Sequence, residues 1–176
     1  HHGFMCADDS LGAEAVADGL AVAERSGVHV LDPSLIADGI YLSLGHGDLP
    51  RADGYFARMA GIVTHIGRPG DHAHFHALAG WRALLAGDTA RAHEEARTAV
   101  EIAVEAGMRF PEALSRYGLA LALCARGEHA AAARELDGLG RIASESGSAF
   151  LEYMHGLGRA LSALDRREPD GIEWLR

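Results

Sequence analysis

LAGDTARAHEEA, residues 85–96, decides the fold because the chain keeps returning to it. It reads as a helix end, a Gly-Asp corner and an Ala-rich helix start. Forty residues earlier stands LGHGDLPRADGYF (44–56), and forty later CARGEHAAAAREL (124–136). Another forty on comes LDRREPDGIEWL (164–175). The corner falls at Gly47-Asp48, Gly87-Asp88, Gly127-Glu128 and Arg167-Glu168. A second glycine column has the same spacing: Gly27, Gly67, Gly107 and Gly147. A third column is small (Ala52, Ala92, Ala132) and a fourth branched aliphatic (Val22, Ile62, Ile102, Ile142). Four columns in one register predict a repeat array of helical hairpins.

Each repeat divides into two helices. Helix A is expected over 33–46, 72–86, 112–126 and 150–166. Its start carries Asp32-Pro33, a capping carboxylate before a proline at the first helical position, and Asp71 offers the same cap one repeat later. Helix B should start after each corner, where Asp48 or Asp88 can accept from free amides. It should stop at the second glycine column, where glycine takes the left-handed conformation. Residues 8–27 form a further helix B, and 1–7 the tail of its helix A, with Phe4 aligned to Leu44, Leu84, Cys124 and Leu164. Along helix B, Ala52, Phe56, Met59, Val63 and Ile66 recur at helical spacing, as do Ala92, Ala96, Ala99, Ala103 and Ala106. Arg91, Glu94, Glu95, Glu101 and Glu105 lie opposite, making one buried stripe and one wet face. Ile62, Ile102 and Ile142 should be buried at equivalent places in successive repeats. Helix A, as in LALAGWRALLAG, is apolar over a wider arc and should be covered on two sides.

The fold class expected is therefore all-α, a right-handed superhelical solenoid of antiparallel hairpins within one domain, 1–176. Its repeats are about 1–27 (partial), 28–67, 68–107, 108–147 and 148–176 (partial). The array shows no polar capping repeat, so the chain is expected to be a fragment of a longer protein, with self-association through the terminal repeats.

Composition narrows the chemistry. The 176 residues carry a net charge of −9, which argues against a direct nucleic-acid grip by this segment. Every basic residue is Arg, so lysine-dependent phosphate loops and Schiff bases are excluded. Cys6 and Cys124 are too few for a disulfide framework and fit a reducing, cytoplasmic setting. The longest apolar run, YGLALALCA, is about half of a membrane span, and no membrane partner is expected.

Three features could carry chemistry. In DHAHFH, His72 and His76 share a helix face at metal-ligand spacing, but no third ligand is near in sequence, and a polar helix start explains them. GLGRIA (138–143) and GLGRAL (156–161) lie within helices with no preceding strand, so close helix contact explains their glycines better than a nucleotide loop. Cys124 stands in a leucine column and reads as core rather than nucleophile. No catalytic residue, metal ligand or cofactor is assigned, and the chain is expected to be non-enzymatic.

The segments GDLPRADGYFARM, GDTARAHEEARTA and GEHAAAARELDGL resemble the tetratricopeptide pattern G-D-x-x-x-A-x-x-x-F-x-x-A. The small column at Gly80, Ala120 and Ala160 also fits, while Ile40 departs from it. The usual period is about 34 residues, and here it is six longer. This long variety resembles the repeat domain of the MalT-like group of large ATP-binding, LuxR-type bacterial transcriptional regulators. The resemblance implies a sensor or protein-interaction domain of a signalling or transcription regulator, with a protein, a peptide or a small-molecule inducer as partner. A stand-alone adaptor that docks a peptide or partner protein is the alternative. An enzyme or metal protein on a helical-repeat scaffold is a third reading. In tetratricopeptide-like folds helix A lines the concave surface. That makes Tyr41, Trp81 and Tyr117 the candidate anchors, with His74 and Arg116 as polar neighbours. Inter-repeat core is the other reading of the three rings.

Overall fold

A computed structural model describes residues 9–167. The structure is all-α, with eight helices and no strand among the described residues. They are α1 (Asp9–Ser26), α2 (Asp32–Gly45), α3 (Leu49–Ile66), α4 (Pro69–Leu85), α5 (Thr89–Glu105), α6 (Arg109–Ala125), α7 (His129–Ser146) and α8 (Ala149–Asp165). The chain divides into two compact units, His1–Asp71 and His72–Arg176, with the division inside the first turn of α4. None of the described helices is long and apolar enough to cross a membrane.

The corners are built by one local device. Gly27, Gly47, Gly67, Gly87, Gly107, Gly127 and Gly147 all have positive φ, which an L side chain adopts only at a cost. After four of them the next amide donates to a carbonyl five residues back: Asp48 to Ser43, Asp88 to Ala83, Met108 to Ala103 and Glu128 to Leu123, each at 2.8–2.9 Å. This closes the preceding helix and reverses the chain in three residues. Arg167 is the one non-glycine with positive φ among the described residues. It occupies the column of Gly47, Gly87 and Gly127, so the backbone turns the same way even where the residue type is unfavourable.

The helix-B starts differ in how they are capped. The Asp48 carboxylate accepts from the Arg51 amide at 3.1 Å and Asp88 from the Arg91 amide at 3.0 Å. Glu128 caps nothing, because its longer side chain turns instead to the Arg126 guanidinium at 2.6 Å. That pairing also holds the Glu128 carboxyl below its ordinary range.

The expected helix-A starts need correction. Helix α2 begins at Asp32 behind Leu31, with no side-chain cap. Asp32 is buried and pairs with the His29 ring at 3.0 Å. Helix α4 begins at Pro69, so Asp71 lies inside its first turn and pairs with Arg68 at 2.7 Å rather than capping. Helices α6 and α8 start at Arg109 and Ala149, earlier than the 112 and 150 expected.

The branched column also departs from expectation. Ile142 is buried, but Ile62 and Ile102 are half-buried and Val22 is exposed. The column one residue later is the buried one: Ala23, Val63, Ala103 and Ala143. One residue is about 100° of helix rotation, so the buried stripe is centred off the branched residues, which sit at its edge. The readings of Phe4, Cys6, Glu168, Pro169 and the tail of the terminal repeats lie outside the described residues.

In unit one, α2 packs against α1 and α3, and Ile36, Ile40, Leu44, Ala52 and Met59 are almost wholly buried. In unit two, α6 packs on α5, α7 and α8. Its core gathers Leu119, Leu123, Leu136, Leu139, Ile142 and Leu151. The glycines of GLGRIA and GLGRAL serve close contact here. A Cβ at Gly158 would lie 2.6 Å from Leu136 and 3.3 Å from the Tyr117 ring. The Arg116 side chain lies over Gly138, and the His155 ring over Gly140.

Candidate functional site

Unit two presents one face repeatedly. Positions i, i+3 and i+7 of a helix lie on one side. On α4 these are His74, Ala77 and Trp81; on α6, Leu114, Tyr117 and Leu121; on α8, Met154, Leu157 and Leu161. All are half-buried except Leu161, which is exposed. Apart from His74, the Trp81 indole N–H and the Tyr117 hydroxyl, the stripe is apolar. Its inner neighbours, such as Leu78, Ala113, Leu151 and Ala160, are closed off in the core. Most side chains on the stripe are thus partly covered and partly open to solvent.

The individual candidates are placed as follows. Trp81 and His74 share the outer side of α4, two turns apart. The Tyr117 ring packs against Gly158 of α8, which ties α6 to α8 and fixes the ring. Burial, with Tyr153 beside it, pushes the Tyr117 phenol up to about 12, so it stays a neutral donor. Arg116 is already engaged. Its Nε donates to Glu112 at 2.9 Å and one terminal nitrogen to Glu135 at 2.5 Å. Partial burial would lower its pKa, but the two carboxylates outweigh that and raise it, so Arg116 holds α6 to α7 as a charged tie. Tyr41 lies in unit one, half-buried on α2, its phenol pushed above the ordinary range by burial and then by Asp38. The structure therefore describes His74, Trp81, Arg116 and Tyr117 with unit two and Tyr41 with unit one.

The tempting histidine pair is spoken for in part. His76 Nδ1 lies 2.8 Å from Glu95, which Arg91 also approaches at 3.4 Å. That gives His76 a role in holding α4 to α5. His72 and His76 join no group of three possible metal ligands among the described residues.

Sequence reasoning missed a cleft in unit one. A cavity of about 400 Å³ is lined by Ala13, Val16, Leu42, Ser43, Arg51 and Tyr55, with His46 and Asp48 at its edge. Three helices contribute to it, and the Tyr55 ring packs over Gly39 to form one wall. No periodicity announces it, because the lining residues come from different columns of the repeat frame.

No family model, curated protein or solved structure matches the chain.

Proposed function

We propose that this chain is a non-enzymatic docking domain, a right-handed superhelical repeat array that serves as the sensor or protein-interaction part of a bacterial signalling or transcription regulator. Its partner is a protein or peptide segment that inserts apolar side chains along the stripe of α4, α6 and α8. One observation carries this reading: the same three helical positions recur on α4, α6 and α8 of unit two, apolar but for His74 and half-buried but for the exposed Leu161. A solvated surface would be polar there, and a pure core would be closed. The helix-B exterior favours neither alternative site. Arg97 and Glu101 pair with each other at 2.5 Å, and Arg91, Glu94 and Glu105 are exposed, as on an ordinary wet face.

The test is selection of peptides from a displayed library, read in the Trp174→Phe background so that Trp81 is the sole tryptophan. Selected peptides should shift Trp81 emission, and Trp81→Ala should weaken them at least about tenfold with the helical circular dichroism unchanged. Peptides that bind Trp81→Ala as tightly, or that depend on Glu94 and Glu101 instead, would move the site off the stripe.

A further inference from the structure

Three polar residues break the repeat columns at one place. Cys124 stands where the other repeats carry Leu44, Leu84 and Leu164. His129 stands where they carry Leu49, Thr89 and Pro169, and Asp165 where they carry Gly45, Leu85 and Ala125. In the fold these substitutions converge. Cys124 lies in the last turn of α6, His129 opens α7 and Asp165 closes α8. One ligand atom from each lies within 4.8 Å of the other two.

The histidine supplies a second, independent sign. Its Nδ1 is shielded from solvent and makes no hydrogen bond. A buried ring nitrogen without a partner costs free energy, and such atoms are rare. The nearest charge is Asp165 Oδ2 at 3.6 Å, too long for a hydrogen bond. It is the right length for something else. Zinc bonds of about 2.0–2.3 Å in a tetrahedron set two ligand atoms about 3.3–3.8 Å apart.

We propose that Cys124, His129 and Asp165 form a three-ligand site for a divalent transition metal of the zinc type. A thiolate, an imidazole and a carboxylate are the mixed S, N and O set that zinc accepts and that magnesium and calcium do not. Cys124 is half-buried at the edge of the leucine core and His129 is 33% exposed, which shields the ion from one side. Asp165, 49% exposed, faces water, so the fourth position is open to a solvent molecule or to a side chain from a partner. Metal binding at Cys124 exchanges its S–H bond for an S–metal bond and releases one proton to the buffer. The ion ties the end of α8 to the corner that joins α6 and α7. This site is independent of the apolar stripe.

The test uses the full chain with His1→Ala, His2→Ala and Cys6→Ser, which removes the other donors near the start of the sequence. After chelator treatment, Co²⁺ is titrated as a spectroscopic stand-in for zinc. One equivalent should bind and produce a thiolate-to-cobalt charge-transfer band that zinc then abolishes. Cys124→Ser should lose the band, and His129→Ala and Asp165→Asn should each weaken Co²⁺ binding at least about tenfold. Zinc should also raise the melting temperature of the parent and not that of Asp165→Asn, an exposed change that leaves the core intact. No charge-transfer band at one equivalent, or a band of equal strength in Cys124→Ser or equal affinity in Asp165→Asn, overturns the site.

Discussion

The two hairpins of unit two share a frame but fill it with different side chains. Helix α5 buries Ala92, Ala96, Ala99 and Ala103. At the same columns α7 buries Ala132, Leu136, Leu139 and Ala143. The difference is two leucines for two alanines, and the partner helices answer it. Opposite the alanines, α4 carries Gly80, whose missing Cβ would stand 3.2 Å from the Ala92 carbonyl and the Ala96 amide. Backbone meets backbone there. Opposite the leucines, α6 carries Ala120, Leu119 and Leu123, and side chains fill the space. Even the branched column responds, since Ile142 is buried beside the leucines while Ile102 is half-buried beside the alanines. One frame thus tolerates two ways of closing a hairpin, close approach of small residues or interdigitation of large ones, provided each helix matches its partner.

If that is right, the two cores should fail differently. The largest effect should come from the leucine hairpin. Leu139 is fully buried at the centre of the cluster. Leu139→Ala should cost about 2–5 kcal/mol, since it opens a cavity that the frame cannot close. Chemical denaturation gives the value, and a cost under about 1 kcal/mol would mean that α6 and α7 can collapse to the spacing of α4 and α5. Ile102→Ala should cost clearly less, because Ile102 is only half-buried.

The alanine hairpin should break by crowding instead. Gly80→Val places branched bulk against backbone atoms that cannot rotate away and should cost about 1–3 kcal/mol. Gly118→Ala is the control on α6. Nothing lies within 4 Å of where its Cβ would go, so the gain in helix propensity should stabilise by about 0.5–1 kcal/mol. Thermal melts of the pair decide the matter. Equal shifts for both would remove the distinction between close approach and open space.

How far the sequence reveals this depends on which residues speak. Corners are legible because glycine has one job there, and Gly47, Gly87 and Gly127 all turn with positive φ. The Asp48 and Asp88 caps are legible for the same reason, a short side chain beside a free amide. The false caps at Asp32 and Asp71 show the limit. An acidic residue near a helix start can cap, pair with His29 or pair with Arg68, and only the third dimension chooses. The buried stripe itself is legible from helical spacing, since Ala92, Ala96, Ala99 and Ala103 are all buried, whereas bulk alone does not place Ile62 and Ile102, which sit half-buried at its edge. Among the site candidates, Trp81 and Tyr117 are half-buried, and the engagement of Arg116 by Glu112 and Glu135 is not legible because it joins residues on two helices. The grouping of Cys124, His129 and Asp165 escaped for a related reason, since its members span three helices and two of them sit forty-one residues apart.

The smallest effect separates the same two hairpins at their corners. Asp88 closes the start of α5 with a hydrogen bond to the Arg91 amide, while Glu128 at the matching position of α7 makes none. A carboxylate two bonds from the backbone reaches the amide of the third helical residue, and one methylene more carries it past. Asp88→Ala should therefore cost about 1 kcal/mol, the usual value of such a cap. Glu128→Ala removes only a solvent-exposed pair with Arg126 and should leave the denaturation midpoint where it was. The informative variant is the exchange, Glu128→Asp. It shortens the side chain to the length used at Asp48 and Asp88 and frees it from Arg126. If the corner backbone is the same device in both hairpins, as the shared bond from residue 88 to 83 and from 128 to 123 indicates, the new carboxylate should capture the Ala131 amide, which now donates to the Glu128 carbonyl at 3.0 Å, and stabilise the protein. The gain should persist at high salt, because a cap is a hydrogen bond over one contact rather than a long-range attraction. No gain from Glu128→Asp, together with a loss in Asp88→Ala, would show that the two corners differ in backbone geometry and not merely in side-chain length.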